Sequence, residues 1–273
     1  MQKCKSFLDR IPGRSLVPVA RSAYYRMRGH CPFTFRGIRF KCDPDHMGFW
    51  KSMGMNEFEP ETYDIFDAFL KSDSTYCDIG AWIGPTVIYA AKKCKQAICF
   101  EPNPESFRYL IWNLCLNGLL DNVTPYQIAL ANSDGLVKMS QQGTASMSMG
   151  ILEEARTAHT IDVLGLTWKT WGQLVQAPHF DFIKIDIEGL EFSFLPQLRQ
   201  AFEMYAPTVY LSTHAPYLPA DQRKGEMNSL IDVLGGYRYC LDERMKPIPI
   251  QSLLEDSALN HWRGFVFTNR PVL

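Results

Sequence analysis

Short apolar runs alternate with amphipathic helical patterns along the chain from Thr75 onward. The apolar runs predict strands at 75–79, 97–100, 123–130, 181–186 and 208–212, with 237–241 and 264–268 closing the sheet. Helical spacing predicts helices at 85–93, 105–117, 190–202 (with an interruption at Pro196) and 221–234. Strands that alternate with helices of this length, and that are apolar on both faces, indicate a doubly wound α/β sheet.

The first 56 residues follow a different pattern. Residues 1–30 predict one or two irregular amphipathic helical pieces. Residues 33–41 alternate apolar and polar positions around Gly37, as an edge strand or a hairpin does. A helix opens at Glu59-Pro60-Glu61, where proline suits the first turn. We therefore expect an N-terminal extension over 1–56 and one α/β domain over 57–273.

The net charge of the chain changes sign near the boundary between the extension and the domain. The chain has a formal net charge of −1 over 273 residues, but residues 1–41 sum to +9 and the remainder to −10. Apolar residues are 46% and charged residues 21%, which allows a full core and excludes a disordered chain. The acidic remainder argues against a nucleic-acid partner. For the basic extension, a peripheral membrane contact, a homodimer contact and a solvated helix beside the sheet stay open.

The cysteines and the apolar runs bear on the compartment. Eight cysteines include no Cys-x-x-Cys pair, and Cys77, Cys99 and Cys115 lie in apolar stretches, so we expect free, buried thiols of a cytoplasmic protein. The apolar runs are shorter than the roughly 18 residues that a membrane helix needs. Basic residues, Pro12 and Pro18 interrupt the N-terminal segment, so we expect no secretory signal peptide.

Polar residues follow the first two strands of the predicted sheet, where open α/β sheets bind their ligands. Asp78 to Gly84 form a strand-to-helix turn, in which Gly80 allows close approach of a ligand and Gly84 allows the helix to pack near the turn. The turn lacks the glycine spacing of a dinucleotide fold, and Trp82 fills the space of a pyrophosphate. Glu101 ends the next strand, where a carboxylate accepts both ribose hydroxyls. These features favour a nucleoside with a cationic, non-phosphate substituent, which suggests S-adenosylmethionine.

A second polar cluster follows the fourth predicted strand. Lys184, Asp186 and Glu188 alternate, so in an extended segment their side chains point to one side. We expect Asp186 to face the methyl donor and the acceptor, with Lys184 paired to Asp186 or to Glu188, and Glu191 to cap the next helix. Pairing lowers a carboxylate pKa and burial raises it, and the sequence leaves the balance open. His214, after the fifth strand, is the candidate general base because an imidazole titrates near neutrality.

Three stretches of the chain fall in a characteristic order. They are Asp78-Ile79-Gly80-Ala81-Trp82-Ile83-Gly84, Phe100-Glu101-Pro102-Asn103-Pro104 with Asn113 and Asn117, and Phe182-Ile183-Lys184-Ile185-Asp186-Ile187-Glu188-Gly189-Leu190-Glu191. Together they resemble the FkbM family of S-adenosylmethionine-dependent methyltransferases. The resemblance implies a class I methyltransferase fold, a Rossmann-like sheet of seven strands, and O-methylation of sugars or natural products. The chain departs from the family at Trp82, where Asn is common, and at Ser212, where the family often has Glu two residues before the histidine.

The expected site residues form two groups. The residues expected to bind the cofactor are Asp78, Gly80, Ala81, Trp82, Gly84, Thr86, Glu101, Pro102, Asn103, Ala129 and Asp186. The residues expected to act in catalysis are Lys184, Asp186, Glu188 and His214. A divalent metal stays open, because Asp186, Glu188 and His214 offer an oxygen and nitrogen site and Asp43-x-Asp45-His46 offers a weaker second one.

The acceptor side is less defined by the sequence. Residues 141–150 are small and polar, which suits a lid or an acceptor contact, or else an edge hairpin. Trp50, Trp168, Trp171 and Tyr217 either stack on a sugar or fill the core. The leading hypothesis is an O-methyltransferase acting on a hydroxyl of a sugar, glycan or related metabolite. N-methylation of a small molecule or peptide, and a non-catalytic nucleoside-binding scaffold, remain the alternatives.

Overall fold

The computed structural model describes residues 17–140 and 160–271. Its N-terminal part comprises helix α1 (Val17–Arg28), strands β1 (Cys31–Phe35) and β2 (Ile38–Cys42), and helices α2 (Met47–Gly54) and α3 (Pro60–Phe69). Strands β1 and β2 form an antiparallel hairpin, one of the two arrangements that the alternating pattern predicts, with Arg36 and Gly37 at positive φ in its turn. The helical pieces predicted before Val17 lie outside the described residues.

The rest of the chain alternates strands and helices. In chain order they are β3 (Thr75–Ile79), α4 (Pro85–Ala90), β4 (Gln96–Phe100), α5 (Pro104–Asn117), β5 (Val123–Tyr126), β6 (Ala129–Leu130), β7 (Gly135–Ser140), β8 (Thr160–Leu166), α6 (Trp168–Val175), β9 (Phe182–Ile185), α7 (Glu191–Phe194), α8 (Arg199–Tyr205), β10 (Thr208–Thr213), α9 (Arg223–Leu234), β11 (Tyr239–Asp242), β12 (Pro247–Ile248), α10 (Asp256–Leu259) and β13 (Arg263–Thr268). Short 3-10 helices span Leu195–Leu198, Ala215–Tyr217 and Ile250–Leu254. The first of these contains Pro196, which confirms the predicted interruption.

The central sheet has the strand order β12-β11-β13-β10-β9-β3-β4-β5. Strands β10, β9, β3, β4 and β5 are parallel, and β13 is antiparallel to both of its neighbours. The predicted α/β sheet is confirmed, and the two-residue β12 adds an edge strand to the seven that were expected. From β3 the chain continues to β4 on one side and returns later to β9 on the other. The carboxyl ends of β3 and β9 therefore flank the crevice where such sheets bind ligands.

Buried side chains cover both faces of this sheet. On one face, Phe35 and Trp50 from the N-terminal part pack in one cluster with Leu110 of α5. On the other face, Trp171 belongs to a second cluster of buried residues, and Trp168 packs against this second cluster. Three of the four candidate stacking aromatics therefore contribute to the core. The described N-terminal part forms a layer on the sheet.

A separate sheet with the order β6-β8-β7 changes the prediction for residues 123–130. The pattern predicts one strand there, and this is wrong. Phe100, the last residue of β4, pairs with Tyr126, so the chain beyond Tyr126 has no partner on β4. Ala129 and Leu130 pair instead with β8. The predicted loop at 141–150 lies outside the described residues.

The burial of the cysteines agrees in part with the prediction. In the described ranges, seven cysteines are free, and Cys77 and Cys99 are buried as expected. Cys115 is exposed, so its predicted burial is wrong. It lies on α5, away from the face that buries Leu110 and Leu114. No helix in the part of the chain that the structure describes is long and apolar enough to cross a membrane.

Candidate functional site

A cleft of about 430 Å³ opens at the carboxyl ends of β3 and β9. Its wall comes from the turns after β3, β4 and β9, from β6 and β7, and from the residues before α3. It contains the predicted site residues Gly80, Ala81, Trp82, Thr86, Glu101, Pro102, Ala129, Lys184, Asp186 and Glu188. It also contains residues that the sequence did not single out, among them Phe58, Glu59, Ile128, Leu130, Val137, Met139 and Ile187.

Gly80 is the point at which the turns after β3 and β9 meet. Its φ is +94°, and a Cβ there would collide with the backbone carbonyl oxygen of Asp186. Glycine is required by this backbone approach, whereas the sequence predicted close approach of a ligand. Gly84 has the same φ at the start of α4, and a Cβ there would lie 2.7 Å from Leu110 Cδ1. Gly84 thus allows the predicted helix packing from a position behind the cleft wall.

The carboxylate of Glu101 joins the turns after β3 and β4. Its Oε2 accepts a hydrogen bond from the Trp82 backbone at 2.9 Å, and its Oε1 accepts one from the Asn103 backbone at 2.8 Å. Burial raises the pKa of Glu101 to about 7, although these two N–H groups lower it. Asn103 does not line the cleft, since its side chain caps α5 through the backbone of Glu105 and Ser106. Glu101 itself lies in the wall with acceptor capacity left for a ligand.

Among the described residues that line the cleft, three other than glycine have a left-handed backbone. They are Glu59, Trp82 and Glu188, with φ values of +40°, +49° and +54°. Such conformations cost of order 1–3 kcal/mol and concentrate at functional sites. The Trp82 ring packs edge-on against Phe49 of α2 with 4.7 Å between ring centroids. Trp82 therefore connects the cleft to the N-terminal layer.

Asp78 lies beneath the cleft, although the sequence predicted a direct contact with the cofactor. The side chain is fully buried, and its Oδ2 accepts hydrogen bonds from Tyr76 at 2.7 Å and Thr86 at 2.6 Å. Its Oδ1 lies 3.6 Å from Lys184 Nζ. Burial raises the pKa of Asp78 above its ordinary value, although Lys184 opposes this. Asp78 and Lys184 are register partners in the β3–β9 pairing, so the carboxylate compensates a buried cation.

Lys184 is buried and forms ion pairs with two carboxylates. Its Nζ lies 3.2 Å from Asp186 Oδ2, in addition to the Asp78 contact. Burial lowers the pKa of Lys184, but Asp186 and Asp78 outweigh it and raise the pKa above its ordinary value. The lysine is therefore charged at neutral pH. Of the two partners that the sequence predicted, Asp186 is present and Glu188 is replaced by Asp78.

Asp186, Glu188 and His214 meet on the β9–β10 side of the cleft. His214 Nε2 lies 3.6 Å from Asp186 Oδ1 and 3.7 Å from Glu188 Oε2. One donor atom from each of the three residues lies within 4.8 Å of the other two, an arrangement that can hold a metal ion. The positive φ of Glu188 and of Gly189, +54° and +100°, bends the chain after Asp186 into this position.

Glu191 supports this cluster from the core. Its Oε2 accepts a hydrogen bond from the Gly189 backbone at 2.8 Å. Its Oε1 lies 2.6 Å from the backbone nitrogen of His214 and 3.2 Å from the ring Nδ1. The predicted capping role of Glu191 is wrong, since the side chain binds the preceding turn and the end of β10 instead.

The cluster separates the pKa values of its members. Burial raises the pKa of Asp186, but Lys184 and His214 outweigh it, so the pKa lies below its ordinary value. Burial raises the pKa of Glu188 above its ordinary value. Burial lowers the pKa of His214, but Glu191, Asp186 and Glu188 outweigh it and raise the pKa to about 9. At neutral pH the site therefore holds an ionised Asp186 beside an imidazolium.

The second candidate metal cluster, Asp43-x-Asp45-His46, is a structural unit. Asp43 Oδ1 accepts hydrogen bonds from the backbone of Asp45 and His46 and lies 2.7 Å from His46 Nδ1. Its Oδ2 accepts hydrogen bonds from Trp50 Nε1 at 2.9 Å and Asn113 Nδ2 at 3.1 Å. The carboxylate is fully buried and surrounded by these donors. It therefore joins the N-terminal layer to α5.

Tyr217 is the candidate stacking aromatic that lines the cleft. Its ring stacks on His214 with 5.6 Å between centroids and an interplanar angle of 12°. Trp262, which the sequence did not single out, lies 5.9 Å from Tyr217 and is 63% exposed. The two rings form a partly exposed aromatic surface beside the imidazole.

The apolar wall of the cleft comes from β6 and β7. Ile128 and Leu130 flank Ala129, and Val137 and Met139 project from the same side of β7 because they alternate along it. Sequence reasoning missed these residues because the pattern assigns 123–130 to the main sheet. The alternation of Val137 and Met139 with Lys138 and Ser140 is the signal that could have identified β7, although the apolar Leu136 interrupts it.

The chain is similar in sequence or in structure to several known proteins. Over 66 residues, 24% of this chain and 13% of the length of that protein, the sequence is 42% identical to a tRNA (guanine(37)-N(1))-methyltransferase of Drosophila melanogaster. Among solved structures, a methyltransferase FkbM from Methylobacillus flagellatus is similar over 72% of this chain and 44% of that chain, with 15% identity and a TM-score of 0.47. TYW2 of M. jannaschii in complex with AdoMet is similar over 88% and 85% of the two chains, with 16% identity and a TM-score of 0.44.

The family comparison covers the strand ends that form the cleft. A sequence model described as the methyltransferase FkbM domain matches residues 78–239, more than half of the chain. The matched residues run from Asp78 at the end of β3 to the first residue of β11, and include Glu101, Asp186 and His214. The chain therefore belongs to the FkbM-domain family of methyltransferases.

Proposed function

We propose that this methyltransferase transfers the methyl group of S-adenosylmethionine to a hydroxyl group of a sugar, glycan or related metabolite. The observation that carries the proposal is the meeting of Asp186, Glu188 and His214 on one side of the cleft. An alcohol is a weak nucleophile at neutral pH, so its methylation needs a group that removes the proton. A cluster of carboxylates with a fixed imidazole supports such a role.

The β4 side of the cleft fits the cofactor. The Glu101 carboxylate can accept hydrogen bonds from ribose hydroxyls in addition to those from the backbone. Ile128, Leu130 and Met139 form an apolar wall that suits an adenine ring. When bound, S-adenosylmethionine supplies a methyl group already activated by a positively charged sulfur. The ionised Asp186 in the same cleft favours that charge.

The chain's own residues have two tasks in this reaction, positioning and proton removal. The acceptor oxygen forms a bond to the methyl carbon while the carbon–sulfur bond breaks, its electron pair stays on sulfur, and the hydroxyl proton passes to the cluster. Glu191 fixes the His214 ring with Nε2 towards Asp186 and Glu188. Positioning of this kind can supply roughly 7–11 kcal/mol of the barrier. Only the neutral form of this imidazole accepts the proton, and its fraction grows as the pH rises towards the His214 pKa of about 9.

The aromatic surface beside His214 supports a carbohydrate-like acceptor. Tyr217 and Trp262 present ring faces next to the imidazole. Sugars combine an apolar ring face with hydroxyl edges, so one acceptor can stack on these rings while a hydroxyl meets the carboxylates. The aromatic rings therefore suit the apolar face of a sugar, and the carboxylates suit its hydroxyl groups.

The proposal is tested by methyl transfer from S-adenosylmethionine carrying a ¹³C-methyl group to extracted glycans and metabolites. We expect labelled O-methyl products, identified by NMR, and a fall in transfer of about 10²–10⁴-fold in His214→Gln. The affinity for S-adenosylhomocysteine should stay the same in this variant. The control His179→Gln changes a histidine that stacks on Tyr205, away from the cleft, and should retain transfer. Unchanged transfer in His214→Gln, or no labelled hydroxyl product, contradicts the proposal.

N-methylation is the second candidate, favoured by the 42% identity over 66 residues to a tRNA (guanine(37)-N(1))-methyltransferase. That match covers 24% of the chain. A nitrogen acceptor whose lone pair is available needs no strong base, so His214→Gln would then leave transfer nearly unchanged. Label found on nitrogen together with that result would replace the first proposal by the second.

A further inference from the structure

Three donor groups from two turns converge on one point beside the cleft. Asp186 and Glu188 come from the turn after β9, and His214 follows β10. Donors about 2.0–2.2 Å from a metal ion lie roughly 3.0–3.5 Å from each other in octahedral or tetrahedral sites. His214 Nε2 lies 3.6 and 3.7 Å from the two carboxylate oxygens, so small side-chain movements suffice to bind an ion.

The imidazole of His214 is held as a metal-binding histidine is held. Its Nδ1 is 3.2 Å from the buried Glu191 carboxylate, and a carboxylate on one ring nitrogen commonly orients the other towards a metal. His214 is 6% exposed. Within the described residues, Nε2 makes no hydrogen bond and faces Asp186 and Glu188. A metal ion at this point would take the place of the Nε2 proton, between the ring and the two carboxylate oxygens.

The two oxygens of Asp186 have separate partners. Oδ2 lies 3.2 Å from Lys184 Nζ, whereas Oδ1 faces His214. The lysine therefore does not occupy the position that an ion would take. Lys184 is also paired with Asp78, so its positive charge is partly balanced by a carboxylate beneath the cleft.

We propose that Asp186, Glu188 and His214 bind one divalent first-row metal ion, for which Mn²⁺ is the probe. Two carboxylates with one imidazole favour an ion that accepts both oxygen and nitrogen. Mg²⁺ is satisfied by oxygen ligands and water, and structural Zn²⁺ sites favour several nitrogen or sulfur ligands. The donor set therefore points to Mn²⁺ or a neighbouring ion in the series.

The role of the ion rests on the proposed function. Three protein ligands leave coordination positions open for a substrate. With an ion bound, His214 Nε2 is a ligand and no longer the base. An acceptor hydroxyl in one of the open positions then has a lowered pKa and passes its proton to a Glu188 oxygen that does not bind the ion, and a second oxygen of the same acceptor can fill the next position. The acceptor class therefore narrows to compounds with two adjacent oxygen atoms, such as a sugar diol or a hydroxy acid.

The site is tested by adding Mn²⁺ to the EDTA-treated chain of 273 residues, without cofactor, and measuring the remaining free ion by EPR. We expect one ion per wild-type chain and at least tenfold weaker binding in Glu188→Gln and His214→Gln. Glu188 is 43% exposed in its side chain, so Glu188→Gln should fold normally, which circular dichroism checks. The matched control Asp45→Asn removes a carboxylate that lies between Asp43 and His46 in the sequence, outside the cleft, and should bind Mn²⁺ as wild type does.

Each outcome separates the site from the proposed function. No Mn²⁺ binding by wild type, or equal affinity in wild type, Glu188→Gln and His214→Gln, overturns the metal site. Mn²⁺ binding in a protein that fails to bind S-adenosylhomocysteine supports the site and contradicts the proposed function. Methyl transfer that is unchanged by EDTA supports the function and overturns the role of the ion.

Discussion

A single oxygen of Glu191, Oε1, lies 2.6 Å from the backbone nitrogen and 3.2 Å from the ring Nδ1 of His214, and accepts from both. The same carboxylate binds the Gly189 backbone through its other oxygen. One buried side chain therefore ties together the two turns that carry Asp186 and His214. Glu191 acts through these residues as a positioning group, without lining the cleft itself.

Replacing Glu191 with Gln should lower the pKa of His214 from about 9 towards its ordinary value of 6.5. The change removes a negative charge and a hydrogen bond that both stabilise the imidazolium. The pKa should stay above 6.5, because the charges of Asp186 and Glu188 still raise it. Histidine ring NMR of metal-free protein measures the pKa, with His214→Gln to assign the signal. Glu203→Gln removes an exposed carboxylate and should leave the pKa unchanged. An unaltered pKa in Glu191→Gln would refute the positioning role.

The candidate site was predictable where it depends on strand ends. Asp186 and Glu101 follow short apolar strands, and parallel topology brings such ends to one edge of a sheet. The roles of Asp78 and Glu191 were not predictable, because each depends on a contact between distant segments. The Asp78–Lys184 pair requires the β3–β9 register, and the Glu191–His214 contact requires the path of the chain through α7, α8 and β10.

Gly80→Ala should destabilise the protein by at least about 2 kcal/mol, because it combines a strained positive φ with a backbone collision at Asp186. The free energy of unfolding in urea measures this effect. Gly225→Ala is the control, since a Cβ there meets nothing within 4 Å and helix propensity favours alanine by up to about 1 kcal/mol. Equal stability of Gly80→Ala and wild type would show that the two turns do not approach as described.

The fold was predictable in its main sheet because central strands are apolar on both faces, as Thr75–Ile79 and Phe182–Ile185 are. The second sheet, formed by β6, β8 and β7, was not predictable from the pattern. Leu136 is 75% exposed and Leu164 is 49% exposed, so apolar residues on both strands face outward and obscure the alternation. The apolar wall of the cleft depends on this sheet and was missed for the same reason.

Asp43→Asn should destabilise the protein by about 2–4 kcal/mol, because an amide nitrogen would face the donors of Trp50 and Asn113. The pKa of Asp43 is lowered: burial raises it, but hydrogen bonds from His46, Trp50 and Asn113 outweigh this. Its contribution to stability is therefore present above the ordinary value of 3.8 and is lost as the pH falls below it. Thermal unfolding at pH 7 measures the effect. In the control Asp64→Asn, whose carboxylate is 53% exposed, we expect a loss under about 1 kcal/mol. Equal losses in both variants would argue against a special role for Asp43.

The affinity for S-adenosylhomocysteine should rise with pH up to about 7 and then level off. Burial raises the pKa of Glu101 to about 7, so below this pH the group is protonated and accepts the ribose hydroxyls less well. Binding should then release up to one proton and weaken by about tenfold per pH unit below 7. Calorimetry between pH 5 and 9, in buffers of different ionisation enthalpy, measures both quantities. Glu101→Gln should bind weakly at every pH, whereas Glu105→Gln, on the first turn of α5, should keep the wild-type profile. A pH-independent affinity in wild type would mean that Glu101 does not hold the ribose.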